Sequence, residues 1–378
     1  MKIKAIEPIA VNLPMHKAVT MAGEIVERAD NMLIRVASDD GRVGWGEAAA
    51  APTMTGETVP GMIAAVGYLS RPLLGAPAEE ILAASAAMDT VMYGNNAAKA
   101  AIEMALHDLV AGAAGKPLHA LFGAKLRSRI AVLAVLGSTD EAADVREARE
   151  RWAAGYRAFK IKVGLGAPEP DAARTQAVCR MIKHNAHAGG ATCLVSADAN
   201  QGFAVDEALR YVGALGDCGL DFFEQPVHAH DLDGMARVAA ATRVSIGADE
   251  GIHSLDDIER HHARKAAAGV SLKAIKLGGL RAVHEACRLC DRLGMKVNLS
   301  CKTGESSIAS AAALHLAATA PALAWGLTLT NTGLAEDVTG TPLRIEAGHV
   351  VVPDRPGLGI DVDESRVRRP EANARRVA

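Results

Sequence analysis

From about residue 128 onward, the sequence repeats one unit, a short apolar strand followed by an amphipathic helix. Eight strands are predicted, at RIAVLAVLG (129–137), RAFKIKVG (157–164), 193–198, 221–224, 244–248, 271–275, 296–300 and 323–329. Strands that alternate with helices form a parallel sheet, because each helix carries the chain back to the start of the next strand. Eight units over about 200 residues suit a closed barrel better than an open sheet. The sequence therefore predicts an α/β fold with a (β/α) barrel at 128–328.

The first third of the chain, residues 1–127, has a different character and is predicted to be a separate α+β unit. Apolar and polar residues alternate over 1–50, with a turn at Asp39-Asp40-Gly41, which indicates an antiparallel meander. Residues 60–125 are alanine-rich and helical, and Asn96 is predicted to be the N-cap of the clearest helix. In the barrel, the spacing of Ser138 and Glu141 predicts a capping box for the first helix.

Charged residues stand at the ends of five successive predicted strands. They are Lys162, Asp198, Glu224, Asp249 and Lys273, separated by 36, 26, 25 and 24 residues. The last three intervals each correspond to one strand–helix unit. Because the carboxyl ends of barrel strands surround a single mouth, these side chains are expected to meet there. Lys160 lies two residues before Lys162, so strand alternation points both lysines to the same side.

This set of charges indicates a particular chemistry. Three carboxylates in one mouth repel each other unless a cation compensates them, and an all-oxygen donor set favours Mg²⁺, with Mn²⁺ as an alternative. A lysine beside a cation and another lysine has its ammonium form disfavoured, so its pKa falls and it serves as a base. The combination suits removal of the proton α to a carboxylate, with the metal stabilising the resulting enediolate.

These motifs together resemble the enolase superfamily, in its muconate-lactonizing subgroup. The resemblance rests on Lys160-x-Lys162, DAN at 198–200, EQP at 224–226, DE at 249–250 and SLKAIKLGG at 271–279, with GWGEA at 44–48, LAEDV at 334–338 and PGLGIDVDE at 356–364. It implies an α+β cap over a (β/α)7β barrel, with residues 329–378 returning to the cap. It also implies a homo-oligomer, between dimer and octamer.

Carried over by position, the resemblance assigns roles to six residues. Asp198, Glu224 and Asp249 would bind Mg²⁺. Lys162 and Lys273 would be the two bases, and Lys160 would support the charge of the substrate carboxylate. Lys273 is preferred to Lys276 because the family's catalytic lysine lies five positions before the first glycine. The predicted seventh strand has no histidine, unlike the mandelate racemase branch.

Substrate contacts are predicted from two cap segments, 14–25 and 51–58, and from the strand ends. The candidates are Thr20, Glu24, Met54, Leu136, Asn200, Glu250, Lys302, Glu305 and the segment from Leu329 to Asn331. The cap segments contain no arginine suited to bidentate capture of a second carboxylate. This argues mildly against dicarboxylates, although Lys17 or Lys302 could take that role.

Three functions stay open at this point. The first is an isomerase, either a racemase or epimerase or a cycloisomerase, acting on a small carboxylic acid or amino acid derivative. The second is a lyase that dehydrates a β-hydroxy acid such as a hydroxyproline. The third is a metal- or ligand-binding barrel without turnover, against which the complete set of lysines and carboxylates argues.

Composition excludes several other classes. The net charge of −3 gives no reason to expect nucleic acid or an anionic membrane as a partner. No apolar run approaches the roughly 20 residues of a membrane helix, and the N-terminus is typical of a strand instead of a signal peptide. We therefore expect a cytoplasmic protein. The CRLC segment at 287–290 lacks the further ligands of a zinc site, and the basic tail from Arg366 is predicted to be mostly solvated.

Overall fold

The computed structural model describes residues 1–21 and 24–368, except for the side chains of residues 20, 21 and 24. The described chain forms a three-stranded antiparallel sheet with helices against it and an eight-stranded parallel barrel. Both parts were predicted from the sequence, and the fold class is confirmed. Among the described residues, no helix has the length and apolar character needed to cross a membrane.

The N-terminal sheet consists of β1 (Ile3–Met21), β2 (Glu24–Ser38) and β3 (Val43–Ala49), in that order. The predicted meander is confirmed, but its first hairpin is longer than expected. Val19 pairs with Val26, so most of the segment 14–25 is strand and not loop. The hairpin therefore reaches well beyond the rest of the sheet.

Three helices accompany this sheet: α1 (Val59–Leu69), α2 (Ile81–Val91) and α3 (Asn96–Ala113). The GWGEA motif explains how closely α3 approaches β3. A Cβ atom on Gly44 or Gly46 would lie 2.2 Å or 1.9 Å from a backbone oxygen of α3. Glycine at both positions allows the helix to lie directly on the strand.

The predicted N-cap of α3 is wrong. The carboxylate of Glu57 accepts hydrogen bonds from the amides of Ala97 and Ala98, at 3.0 and 3.3 Å, and so satisfies the start of the helix. Asn96 is the first helical residue, and its side-chain amide points away from α3. It donates to the carbonyl oxygen of Lys276 in the barrel, at 2.6 Å.

The barrel follows a short strand, β4 (Arg129–Ala131), and its strands are hydrogen-bonded in sequence order. They are β5 (Leu133–Leu136), β6 (Ala158–Lys162), β7 (Leu194–Asp198), β8 (Phe222–Glu224), β9 (Ser245–Ala248), β10 (Gly269–Leu272), β11 (Lys296–Ser300) and β12 (Leu327–Thr328). A bridge between Val132 and Leu327 joins the two ends of the sheet. The predicted barrel is confirmed, nearly closed and parallel throughout.

Helices pack around the outside of this barrel. They are α4 (Glu141–Ala153), α5 (Pro168–Ala188), α6 (Val205–Leu215), α7 (Leu232–Ala240), α8 (Leu255–Ala263), α9 (Ala274–Leu277), α10 (Leu280–Leu293) and α11 (Ser307–Thr319). The capping box predicted at Ser138 is wrong, because Asp140 is the N-cap and accepts from the amide of Ala143 at 2.8 Å. Ser138 instead donates to Asp144, at 2.6 Å. Cys287 and Cys290 are buried and free on α10, as predicted.

Aromatic residues fill the amino-terminal end of the barrel. The rings of Phe222 and Trp325 stack with centroids 4.1 Å apart, beside Leu133 and Ala158. Gly269 leaves room for the indole, since a Cβ there would lie 2.5 Å from a ring carbon. An apolar floor therefore lies beneath the polar residues at the carboxyl ends of the strands.

After β12 the chain runs back to the first sheet and α3. β13 (His349–Val351) pairs with β4, and the amide of Leu358 donates to Asp108 of α3 at 2.8 Å. The chain then forms a short helix, α12 (Glu364–Val367). Arg368 makes a two-pronged ion pair with Glu7, at 2.9 and 3.0 Å, and Val367 is fully buried.

The prediction of a solvated tail starting at Arg366 is therefore wrong at its beginning. The apolar side chain of Val367 and the Arg368–Glu7 pair attach residues 366–368 to the first sheet. Residues 369–378 lie outside the described part of the chain.

Glu47, in the GWGEA motif, links the cap to the barrel. Its carboxylate is fully buried and accepts from the amide and hydroxyl of Ser306, at 2.9 and 2.7 Å, and from the amide of Ala309, at 3.0 Å. Asn31 donates to it as well, at 2.8 Å. Glu47 thus satisfies the free amides at the start of α11, although it belongs to β3.

We expect Glu47→Ala to destabilise the chain by about 3 kcal/mol, because it leaves several buried donors unpaired and creates a cavity. The measurement is urea unfolding at neutral pH, followed by circular dichroism. Glu7→Ala is the matched control on the same sheet, since the Glu7 side chain is 41% exposed and the loss of its ion pair with Arg368 should cost under about 1 kcal/mol. Equal costs for the two variants would contradict this account of Glu47.

Candidate active site

The charged residues predicted at the strand ends come together in the structure. β6, β7 and β8 end at Lys162, Asp198 and Glu224, and these residues are paired in register across the sheet. Asp249 and Lys273 each follow directly after the next two strands, β9 and β10. The predicted mouth of the barrel therefore contains these five residues.

Ion pairs connect the lysines to the carboxylates. The Lys160 ammonium lies 2.5 Å from Glu224 Oε2 and 3.7 Å from Asp198 Oδ2. Lys162 lies 2.7 Å from the same Asp198 oxygen, while Lys273 contacts Asp249 Oδ2. Lys162 and Lys273, the two proposed bases, are thus held by different carboxylates on different strands.

Lys160 and Lys162 differ in depth although they share one side of β6. The side chain of Lys160 is 4% exposed and that of Lys162 is 22% exposed. The deeper lysine contacts two carboxylates, whereas the shallower one also donates to Asn200 Oδ1 at 2.6 Å. Lys162 is therefore the lysine of this strand that is better placed to reach a substrate.

Burial and charge together shift the pKa values of this site. Burial raises the pKa of Glu224 despite the neighbouring Lys160, and it raises that of Glu250 to about 7, helped by the charges of Asp249 and Asp198. Burial would also raise the pKa of Asp249, but Lys273 and Lys276 outweigh it and lower that pKa. The carboxylates thus lie in an environment that disfavours several negative charges without added cations.

Lys273 does not have the depressed pKa expected from the sequence. Burial lowers its pKa, but Asp249, Glu224 and Glu250 outweigh burial and raise it. The expectation assumed a metal ion next to the lysine, and the carboxylates alone act in the opposite direction. The same holds for Lys160, whose pKa is raised by Glu224 and Asp198 against the effect of burial.

The donor chemistry of the site fits a hard divalent cation. Three carboxylates stand on adjacent strand ends, and the buried oxygens Glu224 Oε1 and Glu250 Oε2 accept no hydrogen bond. Among the described residues, however, no group of three or more acidic, histidine or cysteine side chains forms a preformed metal cluster. Lysine ammonium groups pair with the carboxylates instead, so a bound metal would take over part of the charge compensation that the lysines provide here.

A cavity of about 570 Å³ lies above this site. Lys160, Lys162 and Lys273 line it from the barrel, and the hairpin segment 15–19 lines it from the cap. Five of the predicted substrate contacts also line it, namely Met54, Asn200, Lys302, Leu329 and Thr330, whereas Asn331 does not. The cavity therefore joins the two parts of the chain at the charged mouth.

Comparison with known proteins agrees with this geometry. Residues 143–366 match the family described as "Enolase C-terminal domain-like", and residues 5–123 match "Mandelate racemase / muconate lactonizing enzyme, N-terminal domain". The chain belongs to the enolase superfamily. It falls in the subgroup of muconate lactonizing enzymes, as its motifs predicted.

Several similar proteins are cycloisomerases, epimerases or racemases by name. The chain is 32% identical to a chloromuconate cycloisomerase of Cupriavidus pinatubonensis over 95% of its own length and 96% of the relative's, and 30% identical to an L-Ala-D/L-Glu epimerase of Clostridium acetobutylicum over 93% and 96%. Its fold matches a muconate lactonizing enzyme from Pseudomonas fluorescens complexed with muconolactone, at a TM-score of 0.90, 30% identity and 97% and 98% coverage. It also matches N-succinyl Arg/Lys racemase from Bacillus cereus, at a TM-score of 0.90 and 27% identity, with 97% of each chain covered.

Two residues predicted to touch substrate lie behind the cavity wall of this superfamily member. Glu250 accepts from the Asn200 amide at 3.0 Å, and Glu305 accepts from the backbone amide of Lys302 at 2.8 Å. Both are buried, and neither lines the cavity, because each carboxylate is turned toward a neighbouring donor. The side chains of Thr20 and Glu24 lie outside the described part of the structure.

The sequence missed several residues that do line the cavity. Val135 takes the position expected for Leu136, because Val135 is the residue in register with Lys160. Ser300 and Thr328 face the cavity from the ends of β11 and β12. Strand alternation would have identified Val135. His16 also lines the cavity, and it lies within the predicted cap segment 14–25.

Proposed function

We propose that the protein is a Mg²⁺-dependent racemase or epimerase that moves the proton α to a carboxylate, with Lys162 and Lys273 as the two acid–base residues. The observation that carries the proposal is their placement on one cavity from the second and sixth strands of an eight-stranded barrel. The two lysines are four strands apart, which is half of the way around the barrel, so they approach a bound substrate from opposite faces. Removal on one face and return on the other inverts the carbon.

Asp198, Glu224 and Asp249 would hold the metal ion. When bound, Mg²⁺ stabilises the negative charge that develops on the substrate carboxylate as its α-proton leaves. Lys160 supports the same charge, since its ammonium lies among these carboxylates. Asn200 orients Lys162 through the 2.6 Å hydrogen bond to its ammonium group.

The substrate class that we propose is a small carboxylic acid or an amino acid derivative. Apolar side chains from the cap, including Met15, Val19 and Met54, line the cavity opposite the charged floor. Such a wall suits a substrate whose reacting carboxylate lies at the charged barrel residues and whose distal part is apolar. The similarity to an epimerase and to a racemase supports the same class.

Cycloisomerisation of an unsaturated dicarboxylate is the second candidate. Two further cationic side chains, Lys17 and Lys302, line the cavity, and one of them would pair with a second carboxylate. The similarity to chloromuconate cycloisomerases favours this reaction as well. Here a single lysine would transfer the proton.

The reaction is tested by incubating the enzyme with Mg²⁺ in D₂O and following a panel of substrates by proton NMR. The panel contains both enantiomers of N-acyl amino acids, L,L-dipeptides, cis,cis-muconate and β-hydroxy acids including hydroxyprolines. We expect deuterium at the α-carbon and formation of both stereoisomers, while the total amount of the two stereoisomers stays constant.

Other outcomes assign the other reactions. Lactone formation from muconate without α-exchange of the amino acids would favour cycloisomerisation. Loss of water from a β-hydroxy acid would make the protein a lyase. Unchanged spectra for the whole panel, with metal bound, would contradict the proposal for these substrate classes.

A further inference from the structure

The turn after the sixth barrel strand carries a second lysine, Lys276, three residues after the proposed base. The sequence predicted a strand over 271–275, but β10 ends at Leu272 and residues 274–277 form the short helix α9. Because of this helical turn, Lys276 does not follow strand alternation. Its side chain is 0% exposed and reaches the Asp249 carboxylate.

Three oxygen atoms surround the Lys276 ammonium group. It lies 2.6 Å from Asp249 Oδ1 and 3.0 Å from the carbonyl oxygen of Ser271, and it also contacts the carbonyl oxygen of Asp249. An ammonium group has three protons to donate, so all of them are used. Asp249 directly follows β9 and Ser271 lies in the adjacent strand β10, so Lys276 joins the ends of two neighbouring strands.

Lys276 and Lys273 share the Asp249 carboxylate, one on each oxygen. Lys273 contacts Oδ2 and lines the cavity, whereas Lys276 holds Oδ1 and does not line it. Lys276 therefore cannot touch a substrate in this arrangement. It fixes the rotation of the carboxylate and keeps Oδ2 directed toward the mouth.

The cap domain holds this turn from the other side. The Asn96 side chain of α3 donates to the carbonyl oxygen of Lys276 at 2.6 Å. Further along α3, the buried Glu103 accepts from the amides of Leu280 and Arg281 at the start of α10. Helix α3 is thus hydrogen-bonded both to the turn itself, at Lys276, and to the start of the helix that follows it.

We propose that Lys276 is a positioning residue, which orients the Asp249 carboxylate for the divalent metal. Through the hydrogen bond from Asn96, this orientation also depends on the position of α3. The inference rests on the proposed metal function of Asp249. Partners that orient a metal ligand commonly change metal affinity by about 10- to 100-fold when they are removed. Lys276 should therefore act on metal affinity, and Lys273 on proton transfer.

The test compares Lys276→Met with Lys273→Met, since both remove one lysine from the same carboxylate. Binding of Mn²⁺ alone is measured by electron paramagnetic resonance of the free ion, and folding by circular dichroism. We expect Lys276→Met to weaken Mn²⁺ binding at least about tenfold. Lys273→Met should bind Mn²⁺ as tightly as the wild type or more tightly, because it removes an ammonium group that competes with the cation.

Asn96→Ala keeps the proposal testable if Lys276→Met does not fold. It leaves both lysines in place, removes one hydrogen bond to the turn, and should weaken Mn²⁺ binding by a smaller factor. Wild-type affinity in folded Lys276→Met, or in Asn96→Ala if only that variant folds, would overturn the positioning role alone. A wild-type chain that binds no Mn²⁺ would instead refute the metal assignment itself, and the inference with it.

Discussion

Lys273→Ala should lower kcat by at least about 1,000-fold, which corresponds to about 4 kcal/mol of transition-state stabilisation. Lys162→Ala should have a similar effect, because each lysine transfers the proton on one face of the substrate. The fold should persist in both variants, since each removes a single side chain at the cavity. The measurement is steady-state racemisation by polarimetry with saturating Mg²⁺.

Lys296→Ala is the control for these variants. Lys296 is an exposed lysine at the start of β11, at the other end of the barrel from the mouth, and its loss should leave kcat unchanged. Full activity of Lys273→Ala would contradict the assignment of the second base. In that case Lys276 would be the next residue to test, although its burial argues against contact with substrate.

Glu224→Gln should lower the affinity for Mg²⁺ by at least about 100-fold while the barrel remains folded. Gln has the size of Glu, but a neutral amide is a poorer ligand for a hard divalent cation. The substitution also removes the negative charge that pairs with Lys160 at 2.5 Å. Metal content after dialysis measures the loss of Mg²⁺ affinity. Thermal unfolding with and without Mg²⁺ measures whether the barrel remains folded.

Glu259→Gln is the matched control, because Glu259 is exposed on α8. It should bind Mg²⁺ and unfold as the wild type does. Full metal occupancy in Glu224→Gln would show that this carboxylate is not a ligand. The proposed roles of Asp198 and Asp249 would then need the same test, since all three follow from one argument about strand ends.

Much of this fold could be predicted because two simple periodicities dominate the sequence. The alternation of strands and helices determines the barrel, and a charged residue every 24 to 26 residues marks the end of each unit from Asp198 to Lys273. Hydrogen-bonded register then places Lys162, Asp198 and Glu224 side by side. These residues lie together because the parallel register of neighbouring strands fixes their positions.

The errors lie where long-range contacts replace local signals. Asn96 is suited to capping by residue type, but it bonds Lys276, which is 180 residues away. Glu250 and Glu305 have the polarity of substrate ligands, yet neighbouring donors turn them behind the cavity wall. The length of the first hairpin and the burial of Val367 likewise depend on packing against distant parts of the chain. The homo-oligomer implied by the resemblance stays a prediction.

The central claim is that two lysines serve opposite faces of one substrate, and stereospecific exchange in D₂O tests it most directly. Each enantiomer of a substrate that the wild type racemises is incubated separately with Lys162→Ala and with Lys273→Ala, and α-deuteration is followed by NMR. The account predicts complementary results: neither variant racemises, and each exchanges the α-proton of only the enantiomer that faces its remaining lysine. Exchange of the same enantiomer by both variants, or continued racemisation by either one, would contradict the two-base arrangement.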